Sequence, residues 1–229
     1  MLWKLNATWP TVVWQLYDWF LNPTSAYYFT KKALEPLHIQ LNEHDHTVSV
    51  INRYHREIKG LKAEIRVFDF DLKEKWHREI NLDIGSDRYR ELLQIPEIKD
   101  LQGTYFVKLT LKNAAGQTVS GNFYWFSTKK KIDFTDLAKL KPVDLNIHTV
   151  LIDKNTEILA KVTVENTTKR LAFMNRLMVT KGNTGEEVLP TIWSDNFFTL
   201  LPGEKKTLTA LFAKTDLGDN SPIIMQDKN

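Results

Sequence analysis

From Leu37 onward, apolar and polar residues alternate in short runs; before Leu37 they do not. The runs at His38 to Leu41, Thr47 to Ile51, Leu61 to Phe68, Trp76 to Leu82, Arg90 to Leu93, Tyr105 to Leu111 and Ser120 to Phe126 keep a period of two or nearly so. That period turns one side of an extended strand toward a core and the other toward water. Turn signals such as Asn113-Ala114-Ala115-Gly116 separate the runs, and the set predicts an immunoglobulin-like β-sandwich over 37–128. Phe68, Trp76, Phe106 and Trp125 are its candidate core fillers. A second set of strands follows: Val143 to Leu151, Glu157 to Glu165, Leu171 to Thr180, Thr191 to Leu200, Lys205 to Ala213 and Pro222 to Gln226. With Leu201-Pro202-Gly203-Glu204 as a turn, these predict a second immunoglobulin-like sandwich over 142–229. Between the two, 129–141 reads as a linker that opens on the solvated run Lys129-Lys130-Lys131.

The first part of the chain has a different pattern. Residues 9 to 21 read as a helix, with Pro10 in its first turn, Thr8 or Trp9 as cap and Asn22-Pro23 as stop. Val12, Val13, Trp14, Leu16, Tyr17, Trp19, Phe20 and Leu21 cover nearly its whole circumference. Such a helix is expected to be buried on several sides, more than one neighbouring sandwich provides. A second helical piece, Ser25 to Leu34, ends before Glu35-Pro36.

Composition narrows the function. A chain that is 42% hydrophobic and 11% aromatic can build real cores. The absence of cysteine excludes disulfides, thiol catalysis and cysteine-ligated zinc together. The 31 basic and 28 acidic residues are spread along the chain, so a net charge of +3 does not predict nucleic-acid binding. No run reaches the ~18 apolar residues of a membrane span. The compartment stays open: with no basic-then-apolar leader after Met1, the protein is either cytoplasmic or a piece of a longer chain, whose parent would then be periplasmic or secreted.

Candidate chemistry is sparse. His44 and His46 flank Asp45 at a hairpin tip, a set that in principle holds a metal, but no third histidine or clustered ligand accompanies it and a solvated turn is the expectation. Asp69 and Asp71 flank Phe70 and are expected to face solvent. His38, His55, His77 and His148 stand singly. Asn6-Ala7-Thr8 and Asn166-Thr167-Thr168 match glycosylation acceptors. Asp195-Asn196 is expected to bond its own backbone, with Trp193, Phe197 and Phe198 as core or interface anchors. No phosphate loop, nucleophile elbow or zinc-protease motif is present, and no metal or cofactor site is expected.

The two ends of the chain carry a resemblance. Trp3 to Pro10, Trp14 to Asp18, Ala26-Tyr27-Tyr28 and Lys31 to Gln40 look like the exit from the catalytic barrel of glycoside hydrolase family 2, in the branch of exo-β-glucosaminidases and β-mannosidases. Trp193 to Glu204 resembles the last immunoglobulin-like domain of those enzymes. The resemblance implies a mainly β chain: two immunoglobulin-like sandwiches in tandem, preceded over 1–36 by the last strand and helix of a (β/α)8 barrel, with Leu2 to Asn6 as that strand. It implies the missing catalytic barrel of the same chain as partner, and an oligosaccharide as ligand. By position, Trp3 would floor the sugar pocket and Asn6 would lie on the following loop as substrate-binding residues. Ala7 stands where β-mannosidases tend to have Asp, which favours the glucosaminidase side. A retaining glycosidase needs two carboxyl groups about 5–5.5 Å apart. In the family both come from earlier barrel strands, so no residue here inherits either role. An independent carbohydrate-binding module and an adhesin-like domain are the alternatives.

Overall fold

The computed structural model of the chain describes residues 5, 6, 9 and 15 to 227. Two compact units share the chain: one is Lys31–Lys139, and the other joins Leu140–Asn229 to the described residues before Lys31.

The strands of the first unit are β1 (Leu37–Leu41), β2 (Thr47–Asn52), β3 (Ile58–Phe68), β4 (Glu74–Ile84), β5 (Arg88–Gln94), β6 (Thr104–Lys112) and β7 (Thr118–Ser127). They form a three-stranded sheet, β1-β2-β5, and a four-stranded sheet, β4-β3-β6-β7, with antiparallel pairing throughout. The period-two pattern is the cause: Leu61, Ala63, Ile65 and Val67 of β3 turn inward beside Leu109 and Leu111 of β6, onto Ile39, Val48 and Val50 of the other sheet. Of the expected core fillers, Phe68 and Phe106 are buried outside this aliphatic core. Phe106 belongs to a separate aromatic group, 6.1 Å from Phe70 and 5.5 Å from Phe123 between ring centroids, and the Arg66 guanidinium lies 4.7 Å from the Phe68 ring centroid. Trp76 and Trp125 are only half-buried.

The backbone edge of β1 that β2 does not use is closed by side chains of β7. Ile39 N–H donates to Ser120 Oγ at 3.2 Å, Asn122 Nδ2 donates to the Ile39 carbonyl at 2.7 Å, and Leu41 N–H donates to the Tyr124 hydroxyl at 3.2 Å. Buried main-chain groups that lack a strand partner are thereby satisfied.

The second unit contains β8 (Asn146–Lys154), β9 (Glu157–Glu165), β10 (Ala172–Lys181), β11 (Ile192–Trp193), β12 (Phe198–Leu200), β13 (Lys205–Ala213) and β14 (Pro222–Asp227). Its sheets are β11-β13-β9-β8 and β12-β10-β14. Val162, Val164, Leu177, Val179, Leu208 and Phe212 form the centre of its core. The helix α1 (Ser25–Ala33) closely matches the expected second helical piece and delivers Tyr28 into this same core, 5.9 Å from the Phe197 ring.

Two expectations about elements are corrected. The strand expected over 191–200 is broken, since β11 ends at Trp193 and β12 starts at Phe198. Phe197 takes the left-handed φ of 52°, and the Asn196 side chain stands in for a strand partner, as described below. The helix expected over 9–21 is not formed by its described residues 15–21. Their amides find partners other than the fourth residue back. Leu16 and Tyr17 N–H both donate to the Leu5 carbonyl at 3.1 and 2.9 Å, and the Asp18 carboxylate accepts from Phe20 and Asn22 N–H at 2.8 and 2.9 Å. Aspartate competes with helix by offering such local bonds, and Leu21 at φ 61° turns the chain back.

Candidate functional site

The described residues between Leu5 and Pro23 are held within the second unit by polar and aromatic contacts. Tyr17 bridges to both Asn6 and Pro23. Its ring sits 5.3 Å from Tyr27, which sits edge-on 5.0 Å from Tyr28. Asn22 Nδ2 donates to Glu187 Oε2 at 3.5 Å. Glu187 in turn grips Arg176 through both oxygens, at 2.8 and 2.6 Å, and Arg176 reaches Asp227 at 2.6 Å. Burial raises the Glu187 carboxyl above its ordinary range, and the neighbouring charges of Asp227 and Asp18 add to this against the opposing Arg176 guanidinium.

What this anchored segment leaves in water is apolar. Leu5 is 64% exposed, Trp9 62%, Trp19 44%, Phe20 70% and Leu21 61%. Trp19, Phe20 and Leu21 are consecutive, and exposed apolar groups of this kind are characteristic of surfaces that meet another molecule. Of the sequence-predicted sugar contacts, Asn6 is half-buried on its bridge to Tyr17, and Trp3 lies outside the described residues.

The other candidates resolve into structure. At the tip His44-Asp45-His46, Asp45 Oδ1 accepts from Thr47 N–H at 2.9 Å, which holds its carboxyl below the ordinary range, and the His46 ring packs 5.1 Å from Phe126. Asp69 Oδ1 accepts from Lys73 N–H at 2.9 Å, closing a turn, and its other oxygen pairs with Lys75. Asn196 is buried and replaces a strand partner: its Oδ1 accepts from Leu177 N–H and its Nδ2 donates to the Leu177 carbonyl, both at 2.8 Å. Asp195 accepts from Asn196 N–H at 2.9 Å and pairs with Lys206. The acceptor asparagine Asn166 is 0% exposed, with Nδ2 spent on the Arg170 and Leu200 carbonyls and Oδ1 on Thr168. It serves the fold. Of the lone histidines, His38 is buried, with Nδ1 3.2 Å from Glu35 Oε2. Ser120 also donates to Glu35 Oε2, at 2.7 Å, so serine and carboxylate crowd one ring nitrogen instead of flanking the imidazole as a relay would require.

One grouping was not visible in the sequence: Glu64, His77 and Glu79 bring a ligand atom each within 4.8 Å of one another on the outer face of β3 and β4. Glu64 lies directly opposite Glu79 in the register, and Arg66 opposite His77. Cations already fill the gaps, with Lys62 2.6 Å from Glu79, Lys112 3.0 Å from Glu64 and Arg66 4.0 Å from Glu64. The arrangement is an ion-pair ladder across strands, and its lysines and arginine oppose a divalent cation. Burial acts to raise the Glu64 carboxyl, but the Lys112 hydrogen bond and the Lys112, Arg66 and His77 charges outweigh it and hold the group below its ordinary range. A depressed carboxyl contributes stability above its unfolded pKa and loses it as pH falls through the folded value. The Glu64→Gln variant is therefore expected to lose less stability than the wild type between about pH 5 and pH 3, by up to about 1 kcal/mol for so exposed a ladder. Urea titrations of both proteins at the two pH values measure the difference.

The chain is similar to regions of known glycosidases. Residues 122–229 match the exo-β-D-glucosaminidase Ig-fold domain, and residues 44–131 match the mannosidase Ig/CBM-like domain. Exo-β-D-glucosaminidases from Amycolatopsis orientalis and Streptomyces avermitilis are 32% and 33% identical over 97% of this chain, which covers only 24% and 27% of their lengths. The crystal structure of the Amycolatopsis orientalis exo-chitosanase superposes with a TM-score of 0.90 at 30% identity, over 98% of this chain and 29% of that one. A β-D-mannosidase from Dictyoglomus thermophilum shares the fold at a TM-score of 0.65 and 17% identity, over 97% of this chain and 25% of that one.

Proposed function

Since the chain belongs with the immunoglobulin-like regions of exo-β-D-glucosaminidase- and mannosidase-type glycosidases, we propose that it serves as the accessory region of a retaining family 2 β-glycosidase. In this role it packs against the catalytic barrel and helps to shape or shield the mouth of the sugar pocket. The observation that carries the reading is the pairing of 97% coverage of this chain with 24% coverage of the Amycolatopsis orientalis relative: the resemblance takes in nearly all of this chain and a fraction of the enzyme. The apolar group around Trp19, Phe20 and Leu21 supports it as the face that meets the rest of the enzyme. In the assembled enzyme, Trp3 and Asn6 contact the sugar, the indole lying under the C–H face of the pyranose and the amide reaching a hydroxyl. Stacking suits an indole because its large apolar face is removed from water by a ring whose hydroxyls keep their own hydrogen bonds at the rim.

The two carboxylates of the reaction belong to the barrel in this reading, so the chain by itself is inert. Incubated with p-nitrophenyl β-glucosaminide or p-nitrophenyl β-mannoside, it is expected to release no p-nitrophenol above a blank. Release that scales with protein concentration and persists through further purification would overturn the assignment.

A further inference from the structure

Every strand edge among the described residues is guarded, with one exception. β4 carries Lys75, His77, Arg78 and Glu79 and slips register against β3, and β5 carries Arg88, Arg90 and Glu91 and slips against β2. β11 and β12 have two and three residues, and β14 opens on Pro222. β1 and β7 close on each other through Ser120, Asn122 and Tyr124. Charge, short length, proline and bulges are the usual means of keeping an edge from pairing with a further strand. The centre of β8 has none of them. Its nine residues pair with β9 without a register shift, and among the described residues no strand pairs with its other side.

That centre is also apolar and open to water. Val150 is 48% exposed, Leu151 47% and Ile152 39%. Leu151 stands opposite Ala160, which is 0% exposed, so it lies on the core side of the sheet, yet the core does not close over it. Val150 and Ile152 take the other side, opposite Lys161 and Leu159. Three consecutive branched side chains therefore leave both faces of a free edge apolar.

Such an edge accepts another extended strand, whose main chain continues the ladder and whose side chains meet these three. The sequence of β8 selects its own copy. When a strand pairs antiparallel with itself, one residue lies on the two-fold axis and its neighbours pair symmetrically about it. With Leu151 on the axis, Leu151 meets Leu151 and Val150 meets Ile152 on both sides, so all three exposed residues gain apolar partners. Thr149 then comes opposite Asp153, a hydroxyl facing a carboxylate. Moving the axis by one residue destroys the match. With Val150 on it, Leu151 faces Thr149 and Ile152 faces His148; with Ile152 on it, Leu151 faces Asp153 and Val150 faces Lys154. We infer that β8 is a self-association edge, through which two copies of the chain join antiparallel with Leu151 on the two-fold axis. This edge is distinct in sequence from the Trp19, Phe20 and Leu21 group, so self-association and docking to the catalytic part are tested separately.

The absence of cysteine makes the register readable. Directly opposite residues of an antiparallel pair lie about 4.5–5.5 Å apart between Cα atoms, within the roughly 4.4–6.8 Å that a disulfide spans, and residues offset along the strand do not. Of the single variants Thr149→Cys, Val150→Cys and Leu151→Cys, oxidised with diamide and run on a non-reducing gel, Leu151→Cys is expected to cross-link about tenfold more than the other two. Pairing along one strand is at the small end of interfaces, so sedimentation of the unaltered chain is expected to shift from monomer toward dimer between about 5 and 500 μM. Leu151→Lys sets two like charges on the axis and is expected to stay monomeric over that range with its circular dichroism unchanged. The triple variant Trp19→Ser, Phe20→Ser, Leu21→Ser is expected to dimerise as the unaltered chain does. A chain that is monomeric throughout, a dimer that survives Leu151→Lys, a dimer lost in the triple variant, or cross-linking strongest at Thr149→Cys or Val150→Cys would each overturn the inference.

Discussion

Replacing Asn196 with alanine is expected to cost the second sandwich about 3 kcal/mol. The side chain is 4% exposed and supplies both the acceptor for Leu177 N–H and the donor for the Leu177 carbonyl, in place of a neighbouring strand. Leu177 is itself 0% exposed, so water does not reach the freed groups. A buried group left without its partner costs roughly 1–3 kcal/mol, and two are left here. A further bond runs through the same amide: Phe197 N–H donates to its Oδ1 at 3.1 Å, and the Phe197 ring lies 5.9 Å from Tyr28 of α1. Losing it loosens the left-handed residue against which Tyr28 of α1 packs. Asn196→Asp is no remedy at neutral pH, because it keeps the acceptor, deletes the donor and buries a charge. Urea titration followed by circular dichroism is expected to show an earlier midpoint at unchanged slope. A midpoint equal to that of the wild type would mean that the strand break is held by packing alone.

The largest effect on assembly is expected from the triple variant Trp19→Ser, Phe20→Ser, Leu21→Ser. In the isolated chain these side chains stand well out in water, so the stability of the chain by itself is expected to change by no more than about 0.5 kcal/mol. In the proposed assembly they are the apolar contact with the catalytic part. Full burial of a large apolar side chain is worth about 1.5–3 kcal/mol. If only half of that is realised at three positions, about 3 kcal/mol is lost, or roughly a hundredfold in affinity. The catalytic remainder of the Amycolatopsis orientalis relative, produced separately, is a suitable partner, since its equivalent region superposes at a TM-score of 0.90. Equal dissociation constants for wild type and variant would remove the assembly role from this surface.

Most strands were legible in the sequence because the period of two survives wherever one face is buried; β9 and β13 span the same residues in the pattern and in the structure. The exceptions share a physical cause, the use of side chains to do the work of backbone. At 191–200 the apolar alternation ran on through Asn196, whose amide imitates a strand that is not there. At 15–21 the aromatic content hid the decisive residue, Asp18, whose carboxylate takes the Phe20 and Asn22 amides away from a helix. That Tyr28 of α1 enters the second core depends on its meeting Phe197, a pairing distant in sequence that no local pattern encodes.

The enclosed amide of Asn166 has a bearing on how such a protein is made. In a secretory pathway that decorates Asn-X-Thr as the chain emerges, a saccharide placed on this nitrogen would occupy the space where it must meet the Arg170 and Leu200 carbonyls. Folding and modification then compete for one atom, and a host that attaches sugars early makes less native material than one that lacks the transferase.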